Sequence, residues 1–152
     1  MKIAVTGHRH QRLLGKEDLV QASMSDFLDM FRLRPTLISG LALGVDTIWA
    51  QVGLARNYDV IAAVPFLDQP SKWSTANQII YREIIDRCKE VKVVCEGSYS
   101  PEKYIIRDRW MVDQCDLLVG YWDGTEGGGT YETIKYAEQV GKQHVIYRVD
   151  EL

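Results

Sequence analysis

Apolar residues along this chain alternate between two patterns: short runs rich in β-branched residues, and longer stretches with helical spacing. The runs Ile3–Thr6, Thr36–Ile38, Val60–Val64, Val91–Cys95, Leu117–Trp122 and His144–Val149 predict six strands. Between the first two, Val20, Met24, Phe27, Leu28 and Phe31 recur on one face of a helix from about Lys16 to Arg32. Further helices are predicted from about Leu43 to Asn57, Ser74 to Cys88, Pro101 to Gln114 and Thr130 to Val140. In the Ser74 helix, Tyr81, Ile84, Ile85 and Cys88 share the inward face. Ser74 supplies an N-cap, Pro101 opens its helix, and Gly141 stops the last one. Strands this apolar, alternating with helices, predict an α/β fold. The expectation is a single doubly wound domain over residues 1–152, its mainly parallel sheet flanked by helices on both faces. No internal repeat, low-complexity tract or linker interrupts the pattern.

Three of the strands run into turn-forming loops that lead to helices: Thr6-Gly7-His8-Arg9, Ser39-Gly40 to Gly44-Val45-Asp46, and Asp123-Gly124 to Gly127-Gly128-Gly129-Thr130. Glycine lets backbone approach a ligand, and the unpaired N–H groups of a helix start attract anions. In a doubly wound sheet such loops share the carboxyl edge, where ligands bind. The candidate ligand-binding residues are therefore Gly7, His8, Arg9, Ser39, Gly40, Gly44, Asp46, Asp123, Gly127, Gly128, Gly129 and Thr130. Arg9 fits a phosphate bidentately or pairs with a surface carboxylate; His8 donates to a ribose or base, or packs in its turn. Asp46 favours a helix dipole or accepts from ribose hydroxyls. On the Pro101 helix, Arg109 and Asp113 are four apart and match a simple ion pair, whereas Arg107 lies on a different face. Trp73, Tyr99 and Tyr104 stand where an aromatic either covers a base or packs down. The dinucleotide pattern GxGxxG is absent after the first strand.

Composition narrows the partners. The chain is 46% hydrophobic and 26% charged, as in ordinary globular domains, and carries a net charge of -3 with no block of like charges. That gives no general attraction for nucleic acid, the least expected partner. No apolar run approaches a membrane span, and Met1 to Thr6 is too short for a signal peptide, so the expected location is cytoplasmic. Cys88, Cys95 and Cys115 form no CxxC pair and no disulfide framework. No metal-ligand signature is present, and neither metal nor cofactor is expected. Large residues on helix faces, Phe27, Phe31 and Trp110, fit either a core or a homodimer or higher homo-oligomer interface.

The segments Met1-Lys2-Ile3-Ala4-Val5-Thr6-Gly7-His8-Arg9, Ser39-Gly40 to Asp46, Arg107-Asp108-Arg109-Trp110-Met111-Val112-Asp113, and Trp122-Asp123-Gly124 to Thr130 together resemble the YspA/YpsA-like family. That family belongs to the SLOG superfamily, named for the DNA-processing protein Smf/DprA and the LOG phosphoribohydrolases. The resemblance spans nearly the whole chain. It implies a Rossmann-like fold and a site for nucleotides or their derivatives. LOG-type enzymes place a glutamate three residues after the threonine of a glycine-threonine segment; here that position is Thr133 and the acid is Glu132. One residue turns a helical side chain by about 100°. The resemblance also implies an arginine near the glycosidic bond, a part open to Arg107 or Arg109, and so adds Arg107 to the candidate ligand-binding residues.

Three functions follow as expectations. The first is a binding module that senses or sequesters a nucleotide or nucleotide-derived ligand. The second is an N-glycosidic phosphoribohydrolase acting on nucleoside monophosphates, with Glu132, Arg109 and Asp46 as candidate catalytic residues. The third, single-stranded DNA binding of the Smf/DprA type, lacks the basic groove it needs.

Overall fold

The structure, a computed structural model, describes residues 1–152. Its strands are β1 (Lys2–Gly7), β2 (Thr36–Ser39), β3 (Val60–Val64), β4 (Glu90–Val93), β5 (Leu117–Trp122) and β6 (His144–Arg148). They form one all-parallel sheet in the order β4-β3-β2-β1-β5-β6. Parallel neighbours need long crossovers, and five helices supply them: α1 (Glu17–Asp29), α2 (Val45–Ala55), α3 (Thr75–Arg87), α4 (Pro101–Gln114) and α5 (Gly129–Gln139).

The period of two along each strand divides the core between the two faces. Ile3, Val5, Leu37, Val60, Ala62, Val64, Val119 and Tyr121 meet the inward residues of α1, α2 and α3, including Val20, Met24, Phe27, Trp49, Tyr81 and Ile84. Ala4, Ile38, Ile61, Ala63 and Leu118 point the other way, against Met111 and Val112 of α4 and Ala137 of α5. Phe27 is buried in the larger core, Phe31 packs against it, and Trp110 packs against the smaller one. Trp73 also packs down, edge-on to Tyr81 at 5.6 Å.

The expected bounds of β3, α4 and β5 match the structure, and the other helix and strand ends differ from the sequence expectation by up to three residues. Helix α2 starts at Val45 because its cap, Gly44, has φ 100°. Strand β4 ends at Val93, although the amides of Val94 and Cys95 continue the ladder to the Val64 and Pro65 carbonyls at 2.9 and 3.0 Å. This edge strand is exposed throughout, and Glu90 and Lys92 alternate with its valines, which blunts the edge. Ser74 caps α3 by accepting from the Asn77 amide at 3.2 Å. Short 3-10 turns at His10–Arg12, Gln69–Lys72 and Val149–Glu151 have no counterpart in the apolar pattern. They are too brief to show a period.

The strand order matters most for function. The chain steps from β1 to β4 in one direction, then returns through α4 and inserts β5 on the far side of β1. The winding therefore reverses between β1 and β5, and a crevice opens at their carboxyl ends. All three glycine loops lie along that edge of the sheet.

Candidate functional site

A cleft of about 410 Å³ occupies the crevice. Gly7, His8 and Arg9 line it from the end of β1, Arg12 from the following turn, and Asp46 from α2. Tyr104, Arg107 and Asp108 line it from α4, and Gly129 and Thr130 from the start of α5. Only three of its fourteen lining residues are hydrophobic, so the cleft suits a polar ligand.

The back wall depends on close backbone packing. A Cβ on Gly40 would lie 2.6 Å from Arg107 Nη1 and 2.8 Å from Asp46 Oδ2, and one on Gly44 would collide with the His8 carbonyl. One on Gly7 would collide with the Val45 side chain. Ser39, fully buried, accepts from the Leu41 amide at 3.1 Å and donates to the Asp46 carbonyl at 2.7 Å. The structure thus places Ser39, Gly40 and Gly44 behind the cleft wall, where they set the position of α2. The α2 start is also partly occupied: Val45 N–H donates to the His8 carbonyl at 3.1 Å, and Thr47 N–H to the Ala42 carbonyl at 3.2 Å.

The start of α5 differs. Its cap, Gly128, has φ 87° and no side chain, and the first amide to return to it is that of Glu132, at 3.0 Å. The amides before Glu132 have no acceptor within the helix, which leaves positive dipole at the cleft. Gly127, also at positive φ, shapes the loop from outside the cleft.

Arg107 is 3% exposed and ties three elements together. Its Nη1 donates to the Gly40 carbonyl at 2.6 Å and the Ala63 carbonyl at 3.2 Å, and its Nε donates to Asp108 Oδ1 at 2.7 Å. None of these bonds uses Nη2. Arg12 resembles it: Nε and Nη2 clasp the Asp123 carboxylate at 2.7 to 3.1 Å, while Nη1 lies 3.8 Å from where a Gly128 Cβ would stand. Arg9 is exposed at the mouth, and no ion pair or hydrogen bond engages its guanidinium. Three arginines therefore bring unused donors to a cleft in a chain of net charge -3.

Asp123 does not line this cleft but organises it. Its partial burial would raise its pKa. Bonds from the Thr125 amide and from Arg12 outweigh that effect and hold it well below the usual carboxylate range. Its backbone N–H donates to His8 Nε2 at 3.0 Å, which fixes the His8 proton on Nδ1. Burial lowers the His8 pKa against the opposing Asp123 charge, so the ring is neutral at pH 7. The 3.2 Å approach of Nε2 to Asp123 Oδ1 is then not an ion pair. Nδ1 lies 3.4 Å from Thr130 Oγ1, so the Thr130 hydroxyl accepts from it and keeps its own proton for a ligand. The Thr-His-Asp series looks like a nucleophilic triad, but this tautomer is wrong for activating Thr130.

Asp46 is the buried carboxylate of the cleft. Burial pushes it up to about 7, opposed by Arg107 and reinforced by Asp108. The folded protein therefore holds this proton more tightly than the unfolded chain, whose Asp46 titrates near 3.8. Its contribution to stability is complete below about pH 4 and is lost as pH rises to about 7. Urea midpoints measured across that range should fall with pH more steeply in the wild type than in Asp46→Asn. Parallel slopes in the two proteins would contradict this assignment.

Glu132 and Arg109 lie next door. Both are exposed and line an adjacent cleft of about 380 Å³, which shares Asp108 and Gly129 with the first and also includes Gly128. Arg109 does not pair with Asp113: it stacks over the Tyr136 ring at 4.9 Å, and Tyr136 donates to Asp113 at 2.8 Å. Sequence reasoning missed Arg12 and Asp108 as site residues, and Gln69, which supports the Gly40 carbonyl at 3.3 Å. Asp108 had a signal, standing one turn beyond Tyr104 and beside Arg107. Arg12 sits in a 3-10 turn with no period to place it.

No group of three or more His, Cys, Asp and Glu side chains is arranged to hold a metal ion, and no helix is long and apolar enough to cross a membrane.

A six-stranded parallel sheet with a polar, arginine-lined cleft at its switch point defines a Rossmann-like α/β domain. The chain belongs to the YspA SLOG family, whose model matches residues 3–152. Among curated relatives it is 27% identical to the SPbeta prophage-derived protein YoqJ of Bacillus subtilis strain 168, over 74% of each chain. It is 28% identical to a UPF0398 protein of Bacillus pumilus strain SAFR-032, covering 95% of this chain and 86% of that one.

Solved structures share the fold at low identity. DNA processing protein A from Helicobacter pylori, solved for its single-stranded DNA binding mode, superposes with TM-score 0.66 at 20% identity, over 96% of this chain and 64% of that one. The Streptococcus pneumoniae DprA superposes with TM-score 0.64 at 20% identity over 95% of this chain, which spans about half (49%) of that protein. The Moco carrier protein of Chlamydomonas reinhardtii gives TM-score 0.52 at 17% identity, over 95% of this chain and 74% of that one.

Proposed function

We propose that the protein binds, and so senses or sequesters, a nucleotide or nucleotide-derived phosphorylated molecule in the β1/β5 cleft. One observation carries this reading: Arg9, Arg12 and Arg107 each bring unused guanidinium donors to a cleft whose other wall is the open start of α5. A phosphate there meets helix-start amides, the Thr130 hydroxyl and fixed positive charge together. The family match and the ligand-carrying neighbour support a small-molecule role. Single-stranded DNA binding, named for the Helicobacter pylori neighbour, has less support here, because the cations gather in a cleft and the chain as a whole is acidic. Titration calorimetry with nucleoside monophosphates and ribose 5-phosphate tests the reading. Saturable binding that weakens on Gly128→Val is expected, since a branched residue at φ 87° disturbs the phosphate loop. No binding of any phosphorylated probe would overturn it.

A hydrolytic reading rests on Asp46, a carboxyl within the cleft held near neutrality and suited to proton transfer. In that case water attacks the anomeric carbon, the base departs with a proton, and ribose 5-phosphate remains. Base release followed by chromatography should then slow by about a hundredfold or more in Asp46→Asn. A similar loss in Glu132→Gln would move the role to the adjacent cleft, and no release by the wild type would remove the hydrolytic reading.

A further inference from the structure

One aromatic group with a buried member lies outside both apolar cores. Phe66, Tyr99 and Tyr104 form it, at the loop after β3 and the start of α4. Phe66 is 2% exposed and meets the Tyr104 ring edge-on, at 5.5 Å and 82°. Tyr99 lies 6.2 Å from Tyr104 at 63° and is 66% exposed. Tyr104 itself lines the cleft, with the Arg107 guanidinium 5.8 Å from its ring centre. Its hydroxyl has no hydrogen-bond partner within the chain, so no polar contact explains why a tyrosine stands there. The buried Phe66 packs against the ring at nearly a right angle, and the α4 backbone, anchored through Arg107 to the loop after β2 and to β3, fixes its root.

A ring packed against Phe66, with a cation over it and a polar cleft in front of it, is placed to receive another flat ring. We infer that Tyr104 is the specificity-determining residue that stacks on the heteroaromatic base of the ligand, so that the cleft reads a nucleoside rather than a bare sugar phosphate. The inference rests on the proposed function and deepens it. Stacking tolerates any base, because every base offers a π face, so Tyr104 selects for a ring without selecting which one. Asp108, four residues on and lining the same cleft, lies on the same side of α4 and leaves the sugar between ring and phosphate within its reach.

The test is calorimetric titration of AMP, GMP, CMP and UMP against ribose 5-phosphate, in the wild type and in Tyr104→Phe, Tyr104→Ala and Tyr104→Leu. At least one nucleotide should bind the wild type about tenfold or more tighter than ribose 5-phosphate, a typical stacking effect. Tyr104→Phe should keep that preference. Tyr104→Ala should reduce it to about twofold. Tyr104→Leu, which retains apolar bulk against Phe66, should do the same and covers the case of an unfolded alanine variant. A wild type that binds ribose 5-phosphate as well as every nucleotide would overturn the inference and leave the phosphate site standing. A preference retained in both the alanine and leucine variants would place the base elsewhere. Failure to bind any of these phosphorylated compounds would remove the proposed function and this inference with it.

Discussion

Replacing Arg107 by alanine is expected to destabilise the protein by about 3–5 kcal/mol, the largest effect of any single change in the cleft. Its guanidinium is buried, and it is the donor that joins the Gly40 carbonyl after β2, the Ala63 carbonyl in β3 and the Asp108 carboxylate of α4. Removing it leaves carbonyl oxygens without their charged partner. It also takes from Asp46 its strongest stabilising charge, and so should raise that carboxyl further. Arg107→Lys keeps the charge but loses the fork that reaches two carbonyls and a carboxylate together, so it should fall between the two. Urea denaturation measures both variants. A midpoint for Arg107→Ala within error of the wild type would show that the guanidinium carries no structural role.

Arg9→Ala should behave in the opposite way. No ion pair or hydrogen bond within the chain engages its guanidinium, and its charge is only the last of the influences on Asp46, so the urea midpoint should move little. Affinity for a phosphorylated ligand should drop by about 10- to 150-fold, equivalent to one charge-assisted hydrogen-bonding contact of about 1.5–3 kcal/mol. Raising the salt concentration should shrink the difference between the two proteins, because Arg9 is exposed and its charge is screened. Calorimetry on both proteins at two ionic strengths provides the check. Unchanged affinity would place the anion outside this cleft.

The architecture was readable because the strands are short apolar runs and helices such as α1 and α3 carry a one-sided apolar stripe. The parallel sheet followed from strands apolar on both faces, such as Val60–Val64, all of which are buried. That the three glycine loops would share one edge followed in turn from the parallel sheet. The role of each glycine did not follow. A glycine after a strand reports close approach without saying by what, and at Gly7, Gly40 and Gly44 the approaching group belongs to the protein: Val45, Arg107 and the His8 backbone. Arg107 and Arg109 are two residues apart on α4 and so project to nearly opposite sides. Only the return of α4 across the sheet decides that Arg107 is the buried one. The pairing of Arg12 with Asp123, 111 residues away, is a product of β1 and β5 lying side by side, and no local pattern encodes it. Glu132 came out exposed on the adjacent cleft because the helical phase of α5, set by its start at Gly129, turns Thr130 and Thr133 inward instead.

The central claim, that this cleft holds an intact phosphorylated molecule derived from a nucleotide, is tested most directly by letting the protein choose. The purified protein is equilibrated with a small-molecule extract of cells and separated rapidly by gel filtration. It is then denatured, and the released compounds are identified by mass spectrometry, with Arg9→Ala treated in parallel. The account predicts enrichment of an intact phosphate-bearing nucleoside compound by the wild type, and its loss or marked depletion in the variant. Enrichment of nothing bearing a phosphate, or equal recovery of the same compound from both proteins, would contradict it.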